Sequence, residues 1–173
     1  MNNLEIIEQV MIKGDLAVLT PEQRVDYYKA VCESVGLNPL TKPFEYIELN
    51  RKLVLYATKG CAEQLRNKNA ISLKVISKEK IDDVYVVTAE AYGKDGRCDS
   101  STGAVAVSGL KGEALANAFM KAETKAKRRA TLSICGLNML DETEVESISA
   151  TAKSTEKKVS SVVHIPPPVQ APK

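Results

Sequence analysis

The sequence is poor in the residue types that most catalytic sites require. Its 173 residues include no tryptophan, one histidine and only 5% aromatic residues. The histidine, His164, stands beside Ile165-Pro166-Pro167-Pro168, in a segment that we expect to be unfolded. A Ser-His-Asp or Cys-His arrangement therefore has no base in the globular part, and we predict that the protein is not an enzyme. The Gly-Lys-Ser or Gly-Lys-Thr of a P-loop is also missing, which argues against ATP hydrolysis.

Metal, disulfide and membrane signatures are missing as well. The four cysteines contain no C-x-x-C pair, which favours packing residues in a reducing compartment over zinc ligands: Cys32, Cys61, Cys98 and Cys135. We therefore expect no metal and no cofactor. No stretch approaches the roughly 20 apolar residues of a membrane span, and the N-terminus has no secretory signal pattern. These observations predict a cytoplasmic protein without membrane contact.

In the first third of the chain, the spacing of apolar residues changes from that of a helix to that of a strand. Apolar spacing predicts a helix from Asn3 to Gly14. A second helix begins with the capping sequence Thr20-Pro21-Glu22-Gln23 and ends before Gly36. Alternation with period two then predicts a hairpin of residues 44–49 and 52–57, joined by a tight turn.

The sequence after the hairpin predicts a short helix, three strands and a long helix. Thr58 is placed to cap a helix of about ten residues. Strands at 71–77, 84–92 and 101–107 have connections too short for helical crossovers, so we predict an antiparallel meander. A helix over 113–135 carries an alanine-rich stripe that would pack on this sheet, and basic residues on an adjoining face.

These elements predict an α+β fold with an antiparallel sheet, consisting of the hairpin plus the three-stranded meander, packed by helices. The fold would form one domain over residues 1–146 that ends in the long basic helix. Residues 147–173 are rich in Ser, Thr, Lys and Pro and lack periodicity, which predicts a disordered tail.

Positive charge is concentrated in two segments, although the net charge of the chain is only +2. Residues 51–80 carry +6 and residues 111–129 carry +4, whereas acidic residues collect in 1–48 and 141–146. One interpretation is that the hairpin, its following helix and the long helix line a groove for a phosphate backbone, with Tyr46 or Tyr56 as a stacking surface. The alternative is that these lysines only solvate exposed faces, and charge alone does not distinguish the two.

Two polar clusters carry weaker signals. Asp95, Asp99 and Glu113 could meet around a metal, but they lack the ligand spacing of a calcium loop. Ser100-Ser101-Thr102-Gly103 could surround a phosphate with hydroxyl and N–H groups. Turn formation explains both clusters more simply.

Three segments carry a family resemblance: Gly36-Leu37-Asn38-Pro39-Leu40-Thr41-Lys42-Pro43, then Lys52-Leu53-Val54-Leu55-Tyr56 with its following helix, and Ala122-Glu123-Thr124-Lys125-Ala126-Lys127-Arg128-Arg129. Together they resemble the phage single-strand annealing proteins of the RecT/Bet kind, over roughly residues 20–140. The resemblance implies a compact sheet backed by helices, rings or helical filaments of identical subunits, and ATP-independent annealing of complementary strands in phage homologous recombination. The chain is shorter than the better-known members, which have a larger C-terminal part.

The resemblance implies DNA contacts by seven basic residues: Lys121, Lys125, Arg128, Arg129, Arg51, Lys52 and Lys59. The two basic segments add Lys111, Lys127 and Arg66, and the stacking surface adds Tyr56. The expected partners are single-stranded DNA, the annealed duplex, other copies of the chain, and a host single-strand binding protein reached through the tail.

Three other functions stay open on the sequence. The protein could bind and protect single strands without annealing them. It could also be a phage scaffold or protein-interaction domain, or, least expected, a metal-dependent nuclease.

Overall fold

A computed structural model of the chain describes residues 3–145, so residues 147–173, predicted to be a disordered tail, lie outside the described part. The helices and strands of this part are, in chain order, α1 (Asn3–Lys13), α2 (Pro21–Val35), β1 (Phe44–Leu49), β2 (Lys52–Ala57), α3 (Lys59–Asn69), β3 (Ser72–Ile81), β4 (Val84–Tyr92), β5 (Cys98–Ala106) and α4 (Gly112–Ile134). Short 3₁₀ turns occupy Leu16–Val18 and Pro39–Thr41, and a helical turn occupies 142–145.

Local hydrogen bonds explain where α2 and α3 begin. Thr20 and Gln23 form a reciprocal capping box: the Thr20 Oγ1 accepts from the Gln23 N–H, and the Gln23 Oε1 accepts from the Thr20 N–H. Gly36 ends α2 with φ 63°, a left-handed conformation that glycine adopts without strain. The Thr58 side chain caps α3 by accepting from the Cys61 N–H.

The strands form two antiparallel sheets. β1 pairs with β2 as a hairpin, in which Phe44 lies opposite Ala57 and Leu49 opposite Lys52. β3, β4 and β5 form a three-stranded meander with β4 in the centre. The predicted α+β class, with its hairpin, meander and packing helices, is confirmed.

Two strands are longer than predicted, each at one end by three or more residues. β3 continues to Ile81 instead of residue 77, because a bulge between Val75 and Ser77 shifts the register and keeps the charged end of the strand paired with β4. β5 begins at Cys98 instead of residue 101, because residues 98–100 pair with the last three residues of β4, 90–92.

The long helix lies directly on the three-stranded sheet. Four alanines of α4 form a stripe toward the sheet and are almost fully buried: Ala118, Ala122, Ala126 and Ala130. On the sheet side, Gly103 of β5 lies so close to α4 that a Cβ added to it would be 2.5 Å from the Ala126 amide nitrogen. The lack of side-chain bulk on both surfaces is what permits this close approach.

A second core joins the hairpin to the helices around it. Phe44 and Leu55 of the hairpin pack with Leu65 of α3 and with Leu132 from the end of α4. The Tyr28 hydroxyl of α2 donates to the Phe44 carbonyl at 2.9 Å, which ties α2 to the hairpin. The end of α4 therefore belongs to both cores, and Leu132 packs this end against α3.

Candidate nucleic-acid interface

The start of α3 and the C-terminal half of α4 meet at one carboxylate. The Lys59 backbone N–H donates to Oε2 of Glu142 at 2.9 Å. Nη1 of Arg128 lies 3.7 Å from the same oxygen. The positive end of the α3 dipole and a guanidinium thus converge on a single anionic group, although the three residues are far apart in the sequence. We call this place the α3–α4 junction.

The carboxylate belongs to a short acidic segment, Asp141-Glu142-Thr143-Glu144, that we call the acidic strap. Asp141 and Glu144 form a reciprocal box, in which Asp141 Oδ1 accepts from the Glu144 N–H at 3.0 Å and Glu144 Oε2 accepts from the Asp141 N–H at 3.0 Å. The strap enters beside β2, where the Ala57 N–H donates to the Leu140 carbonyl at 2.9 Å and Asp141 forms a parallel bridge with Ala57.

The strap pairs with two of the predicted DNA-contacting residues. Glu142 contacts Arg128, whose side chain is only 11% exposed, and Glu144 forms an ion pair with Arg129. Helical periodicity predicts an open basic face that holds Arg128 and has Arg129 near its boundary. In the structure, acidic partners instead neutralise both of them, and Arg128 is buried.

Lys127 lies on another side of α4, facing β3. Its Nζ is 2.5 Å from Oε1 of Glu123, and Lys78 of β3 lies 2.7 Å from Oε2 of the same carboxylate. These two ammonium groups, with Lys127 contributing more, lower the pKa of Glu123 from its ordinary 4.5 to about 2. The cluster pins α4 to the sheet, and it does not bring Lys127 to the α3–α4 junction.

Three basic residues of α4 and its N-cap lie away from the strap and from the Glu123 cluster. Lys121 and Lys125 are partly exposed, and Lys111 is exposed at the N-cap of the helix. Lys121, Lys125 and Arg129 recur every four residues, which places them in one row with about 6 Å between successive levels. This row leads toward the end of α4 where the strap lies.

The hairpin residues do not join this row. Arg51 and Lys52 lie at the hairpin turn, about 20 Å from Lys59 by the length of the strand. The Lys52 Nζ donates to the Lys13 carbonyl at 3.0 Å, which ties the turn to α1. Arg66 is partly buried in the last turn of α3. The predicted site is therefore divided between the two ends of the hairpin.

The two tyrosines considered for base stacking have their hydroxyl groups engaged within the protein. Tyr56 donates to Oε2 of Glu45 at 2.7 Å, and Tyr46 donates to the Arg24 carbonyl at 2.9 Å. Tyr46 is 36% exposed, so part of its ring is accessible to a ligand. Neither tyrosine contacts the α3–α4 junction through these hydrogen bonds.

A cavity of about 600 Å³ lies beside the strap. Its walls include Arg129 and Ser133 of α4, Leu140 and Glu144 of the strap region, and Ser101 of β5. The Arg129–Glu144 ion pair therefore borders an open space instead of a packed core.

Glu142 and Glu144 are the functional candidates that sequence reasoning missed. From the sequence, residues 141–146 stand out only as an acidic stretch. The spacing of Asp141 and Glu144 before Val145 matches a helix-capping pattern, and this signal could have identified an ordered segment. The partners of the strap, however, lie far away in the chain and follow from the tertiary fold alone.

Neither a membrane-spanning helix nor a metal-binding cluster is found among the described residues. No helix within residues 3–145 has the length and apolar character needed to cross a membrane. In the same part of the chain, no group of three or more His, Cys, Asp and Glu side chains is arranged to hold a metal ion. No known family model matches the chain, and no curated protein matches it.

Proposed function

We propose that this chain binds single-stranded DNA and anneals complementary strands without ATP, as a cytoplasmic protein that assembles into oligomers. The observation that supports it most is the α3–α4 junction, where the Lys59 N–H and the Arg128 guanidinium converge on one anionic oxygen. The same donors suit a phosphate oxygen, because helix N-termini and arginine are common phosphate ligands. The two basic segments and the resemblance to RecT/Bet annealing proteins support the same proposal.

The proposed mechanism is electrostatic. Two complementary strands repel each other through their phosphates, and a protein that neutralises one backbone lowers this repulsion. The row of Lys121, Lys125 and Arg129 extends the junction along α4, so one backbone can follow the helix while its base edges face outward. A second strand is then tested by base pairing, and no bond of either strand is broken.

The proposed assembly follows from the small size of one subunit. A chain of 18.8 kDa covers only a few nucleotides. Annealing of longer strands therefore favours several subunits that bind next to one another along the DNA. Acidic faces of one subunit can meet basic faces of the next, and such head-to-tail contacts generate rings or filaments.

Salt dependence tests the binding step. Neutralising about four phosphates gives a slope of about −3 in log affinity against log salt for single strands. Fluorescence anisotropy with a labelled oligothymidine between about 50 and 300 mM salt, concentrations chosen to span the screening range, measures this slope. Binding that does not change with salt contradicts the proposal.

A matched pair of variants tests the row on α4. Lys121→Ala with Lys125→Ala should weaken binding about tenfold and reduce the slope by about 1.4, because two phosphate contacts are lost. Lys29→Ala with Lys94→Ala removes the same charge from exposed positions elsewhere and should change binding much less. Equal effects of the two double variants would remove the row from the mechanism.

Mixing two labelled complementary oligonucleotides tests the annealing step. We expect the protein to accelerate pairing, detected by energy transfer between the labels. A protein that binds each strand and slows pairing is instead a single-strand protector, and one that binds neither strand at low salt is not a DNA-binding protein.

A further inference from the structure

We propose that the acidic strap is an autoinhibitory contact, in which Glu142 and Glu144 occupy positions that DNA phosphates take in the bound state. This inference rests on the proposed function and adds its regulation: single-stranded DNA must displace the strap to reach the buried part of the site. The strap would thus act as a competitor built into the chain.

The strap and a phosphate need the same donors. Glu142 accepts a hydrogen bond from the Lys59 N–H and forms an ion pair with Arg128. Glu144 forms an ion pair with Arg129. The Arg128 residue is only 9% exposed, so a phosphate cannot replace Glu142 there while the strap is docked. The two bound states therefore exclude each other at this place.

The strap can also leave as a unit. The box between Asp141 and Glu144 lies within the strap, so its hydrogen bonds need not break when the strap separates from α3 and α4. The cavity beside Arg129 and Glu144 lets the outer ion pair separate, whereas undocking of the whole strap also exposes the buried Asp141 and Thr143.

Docking of the strap carries a penalty. Asp141 is only 1% exposed, and its Oδ2 has no hydrogen-bond partner within the described part of the chain. A buried polar atom without a partner destabilises the state that buries it. Undocking returns this oxygen to water, and its hydration offsets part of the ion-pair energy that the strap loses. DNA phosphates can then compete with the strap for the two arginines.

Charge removal from the strap is the first test. Glu142→Gln with Glu144→Gln keeps one acceptor oxygen on each side chain, enough for the Lys59 N–H at residue 142 and the Asp141 N–H at residue 144, and removes the two negative charges. We expect oligothymidine to bind about three- to tenfold more tightly, since each weakened ion pair gives a modest gain. The control, Asp26→Asn with Glu33→Gln, makes the same charge change on the exposed surface of α2 and should change affinity less than about twofold.

The outcomes separate this inference from the proposed function. If the wild-type chain binds DNA and the strap variant binds no more tightly than the control variant, the strap is not inhibitory and the proposed function stands. If neither the wild-type chain nor the strap variant binds at low salt, both proposals fall. Binding by the strap variant alone supports the inhibitory strap and contradicts the proposed DNA binding by the unmodified chain.

Hydrogen exchange of the full-length wild-type chain is the second test, and it needs no substitution. The Ala57 amide donates to the Leu140 carbonyl where the docked strap enters, so undocking removes its acceptor. At saturating oligothymidine, this amide should exchange at least about tenfold faster. The amides of β4 provide the internal control and should not change. Unchanged or slower exchange of the Ala57 amide at saturation overturns the inference.

Discussion

Replacing Gly103 by alanine probes the contact between α4 and the sheet. Gly103 lies on β5 opposite Val87, in the central contact of the sheet with the helix. An added Cβ would overlap the Ala122 carbonyl oxygen and lie 2.5 Å from the Ala126 amide nitrogen. Both atoms belong to the helix backbone, so no side-chain rotation can relieve the clash.

The size of the effect follows from these contacts. Ordinary non-bonded contacts lie near about 3.5 Å, so α4 must retreat by about 1 Å. A gap of that size loses about a quarter to a half of the dispersion energy along the alanine stripe. Overpacking of a close contact costs about 1–3 kcal/mol, and we expect about 3 kcal/mol because backbone is obstructed. If the free energy of unfolding falls by about 2 kcal/mol per molar urea, this loss should lower the urea midpoint by about 1.5 M.

Urea unfolding followed by far-ultraviolet circular dichroism measures this change. The matched control is Gly60→Ala in α3, where the nearest atom to the new Cβ is Thr58 Oγ1 at 3.7 Å. That substitution should stabilise the protein by about 0.5–1 kcal/mol, because alanine is the better helix former. A destabilisation by Gly103→Ala of less than about 1 kcal/mol, the lower end of the overpacking range, would refute the predicted clash.

Two further predictions concern titration and thiol reactivity. The pKa of Glu123, about 2 beside Lys127 and Lys78, lies below its ordinary 4.5, so its stabilisation is present above about pH 4.5 and is lost as the pH falls toward 2. The difference in urea midpoint between wild type and Glu123→Gln should therefore shrink from about pH 7 to about pH 2.5, and a constant difference would contradict this. Cys98 is exposed, whereas burial raises the pKa of Cys61 to about 12, so iodoacetamide should modify Cys98 first under native conditions. Mass spectrometry of peptides checks the order, and equal rates would show that burial does not protect Cys61.

Much of the fold could be predicted because its signals are local. Thr20 and Thr58 precede their helices as capping residues, and the hairpin alternates apolar and polar residues on each side of its turn. The charged end of β3 leads into Asp82 and Asp83, and because aspartate is common in turns, the sequence predicts a turn for the whole segment. Its pairing with β4 depends on a bulge, and a bulge has no clear signature in one sequence.

The candidate site was only partly predictable. The periodicity of α4 predicts Lys121 and Lys125 on one exposed face, but it predicts the same face for Arg128, which is buried. The reason is that α3 and the strap cover this side of α4, and both contacts join residues far apart in the chain. Helical periodicity predicts on which face of the helix a side chain lies, but it does not predict which distant segment packs against that face.

The alanine stripe of α4 has a mechanical consequence. Such a smooth surface, with few protruding side chains, resists separation from the sheet far better than it resists sliding along it. The polar contacts at its margins, Lys78 with Glu123 and Asp99 with Ser133, hold the helix at one axial position. The Phe119 ring against Tyr85 and Leu132 in the hairpin core add two more fixed points, so the lysines that α4 carries keep one position along the sheet.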